Sequence, residues 1–308
     1  IERGKWVARN PESRIKGYHI WSAYSYLKNA SWSHIVDQWE EASGNPLLEK
    51  VFRNTWLGLD YNDEISVVTD FEKFRDENAE DYPIDIMPDN CITIVAGVDV
   101  QLDKLVCVVI AFKKNHIYVI AYREIYGDTM DETPQGPWAE LEELRRKNWA
   151  DSTRDVRKIK YMAVDSGGAA GTTHIVYEWS RKRHNVLAVK GASHQTRDIL
   201  TKPSLQKYEL KKNNSKKTMK LYIIGVHKLK LVLLNILAEE NKTAESYHIH
   251  ISSELPLTFF RELFSEKLVS EVKKDGSNHH YFKKIRQKNE VLDCMVYAFY
   301  CYMYNAKG

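Results

Sequence analysis

The sequence predicts an α/β protein built on a mixed sheet flanked by helices. Three observations predict it. Residues 92–126 hold three apolar, β-branched runs, Ile92–Val100, Lys104–Lys113 and His116–Tyr126, with only a few residues between them. Such connections are too short for parallel crossovers, so the runs form an antiparallel meander. Beyond them, helical and strand-like patterns alternate along the chain. Finally, an acid, Asp99, sits inside the first run. A buried charge costs several kcal/mol unless it is paired or bound to a cation, so the fold must bring something to Asp99.

Length and composition bound the rest. A chain of 308 residues can bury a large core in one or two domains. Its 43% hydrophobic and 28% charged residues are those of an ordinary soluble globular protein. No apolar run approaches the ~18 residues that span a membrane, and no signal peptide is visible. The first residue is Ile1, which predicts a fragment of something longer. The four cysteines, Cys91, Cys107, Cys294 and Cys301, lie in or beside apolar runs without a CxxC pair. They read as buried free thiols of a reducing cytosol. The net charge of +3 implies no partner by itself; its distribution does.

Residues 1–60 carry five of the eight tryptophans, Trp6, Trp21, Trp32, Trp39 and Trp56. A short helix is expected at Ser33–Ala42, with Ile35, Val36 and Trp39 on one face. The segment reads as an aromatic-rich connector. Residues 61–90 are acidic and turn-rich and read as a linker or exposed loop, which places a domain boundary near Asn90. After the meander, Pro137–Trp149 is a helix, with Pro at its start, acids early and bases late. Ile159–Val164 is a strand ending at Asp165, Thr172–His184 a helix and Asn185–Val189 a strand. Leu221–Val226 is a strand, His227–Glu240 a helix, Tyr247–Ser252 a strand and Pro256–Glu271 a helix. The last helix covers Asn289–Tyr304, with Asn289 as N-cap and Glu290 in its first turn. Three antiparallel strands followed by helix–strand–helix–strand is the order of a ribonuclease H-like fold.

Three acids are candidate catalytic residues and metal ligands: Asp99, Asp165 and Asp293. Asp165 ends its strand before Ser-Gly-Gly, a turn that leaves the carboxylate open to a ligand. Asp293 lies among Val291, Leu292, Met295, Val296 and Phe299, so it faces either the core or a site. Carboxylates suit Mg²⁺ or Mn²⁺, and two such ions about 3.5–4 Å apart can hydrolyse a phosphodiester. Each acid also has a plain reading: a strand-end acid, a turn-former before Gly-Gly, and a helix acid paired with a base. Asp103 and Glu290 are secondary candidates. Asp103 could simply begin a strand and Glu290 simply favour the helix dipole.

Two basic stretches fall in expected loops. Lys202–Lys220 holds seven lysines against one Glu, and Lys273–Lys288 five lysines and Arg286 against one Asp. Lys211, Lys212, Lys216 and Lys217 in the first, and Lys283, Lys284 and Arg286 in the second, are candidate DNA contacts. A merely solvated loop is the alternative. Gly167–Thr173, GGAAGTT, lacks the Lys of a phosphate loop, so ATP binding there is rejected. His194 and the His248/His250 pair lack further zinc ligands and read as structural.

Certain pieces together resemble the C-terminal part of lambda-type phage terminase large subunits. They are Gly17-Tyr18-His19, Phe52–Gly58 (FRNTWLG), Gly97–Gln101 (GVDVQ), Asp165–Gly168 (DSGG), and Asn289–Cys294 (NEVLDC) with Tyr297-Ala298. The resemblance implies a connector at 1–90, following an ATPase domain whose motifs do not occur here. It implies a ribonuclease H-like nuclease domain at 91–308, with Asp99, Asp165 and Asp293 catalytic. It further implies a metal-dependent endonuclease that cuts concatemeric double-stranded DNA with two Mg²⁺ or Mn²⁺ ions. Terminase small subunit and portal protein are the implied partners, with no membrane, and host cytoplasm the implied location. A junction resolvase or recombinase of the same fold, and a non-catalytic DNA-binding motor module, are the competing readings.

Overall fold

The computed structural model describes residues 7, 12, 17–42, 48, 51–59, 70–168, 171–209, 216–238, 246–272 and 278–307. The chain divides into two compact units, residues 1–65 with 241–246, and residues 66–240 with 247–308.

In the first unit, helix α1 (Trp32–Ala42) buries Ile35 and Ala42 against Phe52, with Ala23, Trp56 and Leu57 alongside. Trp21 meets Trp32 edge-on at 5.4 Å between ring centroids. A π-helical turn, Arg53–Leu57, ends at Gly58, whose φ of 61° a glycine adopts without strain. A Cβ on Gly58 would lie 2.8 Å from the Ile20 carbonyl. His19 Nε2 lies 2.7 Å from the Leu57 carbonyl. The GYH and FRNTWLG pieces therefore touch. Phe52 and Trp56 of the second piece join the small core, while Tyr18 of the first is exposed, and Trp6 lies outside the described residues.

The second unit holds β1 (Ala79–Glu80), β2 (Thr93–Val100), β3 (Lys104–Lys113), β4 (His116–Tyr126), β5 (Trp149–Ala150), β6 (Val156–Arg157) and β7 (Ile159–Asp165). It continues with β8 (Val186–Gly191), β9 (Ser204–Glu209), β10 (Lys216–Ile224), β11 (His248–Ser252), β12 (Glu266–Val272) and β13 (Asn278–Lys284). Its helices are α2 (Phe71–Asn78), α3 (Pro137–Arg146), α4 (Thr173–Arg181), α5 (Val226–Leu237), α6 (Leu257–Leu263) and α7 (Glu290–Lys307). Among the described residues one sheet has the strand order β1-β11-β4-β3-β2-β7-β8-β10-β9. β2, β3 and β4 form the expected antiparallel meander; β7 joins β2, and β8 joins β7, in parallel. That order and those directions make the sheet ribonuclease H-like and mixed, flanked by helices.

Every residue of β2 is buried, because helices cover both faces. Its even positions, Ile94, Ala96, Val98 and Val100, join a core with Trp138 and Leu141 of α3 and Val176 and Trp179 of α4. The odd positions point the other way, toward α7, which packs across β2, β3 and β7. Gly97 makes this possible. A Cβ there would stand 1.9 Å from the Cys294 carbonyl oxygen and 2.7 Å from the Ala298 nitrogen, so only glycine lets helix backbone and strand backbone meet. Cys294 Sγ then donates to the Val106 carbonyl at 3.1 Å. All four cysteines are buried free thiols, as expected. No described helix is long and apolar enough to cross a membrane.

Three expectations are corrected. Residues 70–90 are not a linker: α2 is capped by Asp70, which accepts from the Lys73 amide at 3.0 Å, buries Phe74, and leads into β1 beside β11. Their acidity masked one buried ring, Phe74, packed at 4.7 Å on Phe264. The helix expected at Pro256–Glu271 stops at Leu263, and Glu266–Val272 is a strand, formed by antiparallel pairing with Asn278–Lys284 that no local pattern in EKLVSEV announces. Both basic stretches hold strands where loops were expected. β9 pairs with β10, and β12 with β13; SLQKYE carries one exposed row and one packing row. Lys211 and Lys212 lie outside the described residues. The paired histidines are structural: His116 Nδ1 lies 2.8 Å from His250 Nε2, and His250 Nδ1 lies 2.7 Å from Glu80, tying β4, β11 and β1 together.

Candidate active site

The register of the central strands decides where the acids fall. Val98 is level with Val164 across the parallel β2–β7 pair. Asp99 and Asp165, one residue further along each strand, therefore stand side by side, about 4.8 Å apart in backbone spacing. Both occupy odd positions, on the face that α7 covers. Asp293 lies in the first turn of α7. The Tyr297 hydroxyl, one turn further on, is buried and pushed far up by that burial and then by Asp165, Asp293 and Asp99 together. One point on α7 thus senses all three acids.

Each carboxylate is held by named donors. Gln101 Nε2 donates to Asp99 Oδ2. Asp165 Oδ1 accepts from the Gly167 amide at 3.1 Å. A Cβ on Gly168 would lie 3.0 Å from Asp165 Oδ2 and 2.7 Å from the Val100 carbonyl, so the Gly-Gly turn leaves the carboxylate uncovered. Asp293 Oδ2 accepts from Asn289 Nδ2 at 2.7 Å, and its Oδ1 lies 3.0 Å from Lys230 Nζ. Lys230 is itself buried and bidentate on Glu266, 2.9 Å to each oxygen. Asn289 also donates to Glu266 at 3.0 Å and accepts from Lys284 Nζ at 2.7 Å. Asn289 therefore spends its side chain on this network.

The electrostatics are those of crowded acids. Burial pushes Asp99 up to about 7; the Gln101 hydrogen bond opposes this, and Asp293, Asp165 and Glu290 add to it. Burial likewise pushes Asp165 up to about 6, against the Gly167 hydrogen bond, with Asp293 adding. Burial raises Asp293 too, and Lys230 opposes the rise. A second pair lies beside them: Glu262 is pushed to about 7 by burial and by its hydrogen bond and repulsion with Glu290. Among the described residues no three His, Cys, Asp or Glu side chains stand close enough together to hold a metal ion as they are placed, and Gln101, Asn289 and Lys230 contact oxygens of Asp99 and Asp293. The donors nevertheless fit a hard divalent cation. They are carboxylate oxygens, brought to one end of one sheet face, with repulsion that a cation would relieve.

The other candidates sort by position. Asp103 is exposed in the β2–β3 turn. Glu290 is buried, and near enough to raise Asp99. Lys283 and Lys284 are exposed at the end of β13. Arg286 is half-buried: its guanidinium lies 4.7 Å over the Phe71 ring and donates to the Phe264 carbonyl, so packing occupies it. Lys216 and Lys217 begin β10; Lys216 makes an exposed 3.9 Å ion pair with Glu209, an arrangement worth little. Sequence reasoning missed Lys230 and Glu266. The available signal was a lysine amid the apolar residues of α5, VHKLKLVLLN.

The fold is of the ribonuclease H-like class, with acids gathered at one end of its central strands. The model of the family described as terminase large subunit gpA, endonuclease domain, matches residues 15–306, and the chain belongs to that family. The chain is 27% identical over 288 residues to the terminase large subunit of Escherichia phage lambda, covering 91% of this chain and 42% of that protein. With the terminase large subunit of Enterobacteria phage P21 it shares 26% over 297 residues, covering 94% and 44%. It thus spans less than half the length of these curated relatives. Among solved structures it is similar to the large terminase nuclease of thermophilic phage G20c, with a TM-score of 0.40, 11% identity, and coverage of 74% of this chain and 96% of that one. It is also similar to the large terminase of another thermophilic bacteriophage, with a TM-score of 0.39, 13% identity, and coverage of 75% and 44%.

Proposed function

We propose that this chain is a metal-dependent endodeoxyribonuclease that cuts double-stranded DNA, and that Asp99, Asp165 and Asp293 carry the reaction. The observation behind this reading is the convergence of two buried acids, Asp99 of β2 and Asp165 of β7, with the partly buried Asp293 of α7, whose mutual repulsion a cation or a proton would relieve. Asp99, Asp165 and Asp293 would hold two Mg²⁺ or Mn²⁺ ions, which when bound supply an activated water and stabilise the leaving 3′ oxygen.

The chain's own residues prepare that chemistry. Gln101 fixes the rotamer of Asp99, and the Gly167 amide that of Asp165. Asn289 and Lys230 hold Asp293, while Glu266 shares the charge of Lys230, so the site carries a built-in cation beside the carboxylates. Tyr297 and the apolar face of α7 exclude water from the back of the site, which strengthens each electrostatic contact. Lys283 and Lys284, beside this network at the end of β13, supply phosphate contacts, with Lys211, Lys212, Lys216 and Lys217 as further candidates.

In the whole protein, concatemeric viral DNA is the substrate. Terminase small subunit and portal protein are the partners, residues 1–65 are the connector from an ATPase domain, and the host cytoplasm is the place of action. Nicking of supercoiled plasmid by the chain with Mg²⁺ or Mn²⁺, abolished by EDTA, tests the reading.

A further inference from the structure

We propose that the cleft opening beside Asp165 binds the phosphates of one DNA strand next to the cut, through Lys190 and Arg197 with His194 at its rim; this rests on the nuclease reading above. The cleft has a volume of about 760 Å³ and runs from the Ser166–Gly168 turn along the end of β8 to Arg197. Its described lining contains three basic side chains, Lys190, His194 and Arg197, and no carboxylate. A site formed by chance among neighbouring acids would have its bases paired. Here Lys190 and His194, both exposed, make no side-chain hydrogen bond or ion pair among the described residues; the acid whose charge Lys190 feels is Asp165 itself. Among the described residues the Arg197 side chain makes one hydrogen bond, to Thr201 Oγ1 at 3.3 Å, and its charge acts on Asp198. The neighbouring acid, Asp198, is taken by Lys228 at 2.7 Å, which leaves the cleft positive.

Position ties the cleft to the reaction. Asp165 is level with Val189 across the parallel β7–β8 pair, so Lys190 follows directly beyond the carboxylate, at the C-terminal strand ends where open α/β sheets bind ligands. The Lys190 side chain passes over Gly167: a Cβ on that glycine would lie 3.3 Å from Lys190 Cγ and 3.7 Å from Asp165 Oδ1. Glycine at 167 therefore gives the lysine its path beside the acid. Gly171 and Thr173, at the start of the nine-residue α4, also line the cleft, and the helix dipole there adds to the attraction for phosphate. The volume is that of a small-ligand pocket, which suits a few nucleotides of one strand. Gly167, Gly168, Gly171 and Thr173 of the GGAAGTT stretch, and His194, which matched neither an ATP site nor a zinc site, find a common role here.

The test is fluorescence anisotropy in magnesium-free buffer, using the 308-residue chain and a labelled single-stranded oligonucleotide over a salt series. Lys190→Gln/Arg197→Gln is compared with wild type, with the charge-keeping Lys190→Arg/Arg197→Lys, and with Lys73→Gln on α2 as a distant control. The expected result is at least about tenfold weaker binding at ~0.1 M salt for the Gln pair. Its log K against log salt slope should be shallower by roughly 0.7 for each phosphate no longer neutralised. The charge-keeping pair and the control should stay within about twofold of wild type. Unchanged affinity and slope in the Gln pair overturn the proposal. Plasmid nicking separates the two readings. If wild type nicks while the Gln pair binds normally, the cleft assignment alone fails. If the Gln pair loses binding while wild type nicks with neither metal, the cleft stands as a strand-binding site and the nuclease reading fails.

Discussion

Asp99 was legible because it interrupts an apolar strand, where an acid is costly unless the fold compensates it. Gly97 was legible only as part of the GVDVQ piece, because the need for glycine there comes from a helix almost two hundred residues later. The structure supplies the reason: α7 backbone occupies the space of a Cβ at position 97. Gly97→Ala should therefore cost about 3 kcal/mol or more, the upper range for overpacking a tight core. It should lower the urea midpoint and, by lifting α7, weaken any metal-dependent gain in stability. A wild-type midpoint would mean that α7 does not lie on β2. Lys230 and Glu266 escaped the sequence because their pairing spans 36 residues and two elements. A lysine within an apolar helix face shows that a partner is needed without showing which one.

The elements repeat this pattern. Strands with both faces buried, β2 and β3, announce themselves as apolar runs, and α7 as a long apolar pattern. The basic ribbons do not, since lysine on one face of an edge hairpin reads as a solvated loop. The β12–β13 hairpin ends in Lys283 and Lys284, and Lys284 links through Asn289 to Asp293. Replacing both lysines by Gln should weaken duplex binding across sequences and flatten its salt dependence, by roughly 0.9 in slope for each phosphate left without its lysine. A salt titration of the duplex complex reads this, and an unchanged slope would return the hairpin to a structural role. Arg286 is left out, because its stacking on Phe71 means that its loss would also disturb packing.

At the scale of the molecule, the acid cluster sets a pH signature. Asp99 and Asp165 rise from an ordinary 3.8 to about 7 and about 6. The folded chain thus binds more protons than the unfolded chain between those values, and their contribution to stability is full below about pH 4 and lost as pH rises through about 7. Other groups work in reverse: burial pushes Glu142 up, but Arg145 and Arg183 hold it down to about 2. The cluster is therefore isolated by difference. Without metal, Asp99→Asn should gain stability relative to wild type as pH goes from about 5 to about 8, measured by thermal melting at each pH. Added Mg²⁺ should stabilise wild type most at the alkaline end, since binding to the folded state raises Tm. A pH-independent difference would mean that Asp99 sits in no such cluster.

The central claim is that these carboxylates carry metal-dependent cleavage, and nicking of supercoiled plasmid by wild type and Asp165→Asn tests it most directly, with folding and DNA affinity read on the same preparations. Asn keeps shape and hydrogen bonding but removes one charge from the acid cluster, so metal occupancy should fall. Wild type should nick with Mg²⁺ or Mn²⁺ and stop with EDTA. Asp165→Asn should lose orders of magnitude in rate while folding and binding DNA as wild type does. Asp165→Asn protein that nicks at the wild-type rate, or wild type that nicks unhindered in EDTA, would contradict the account.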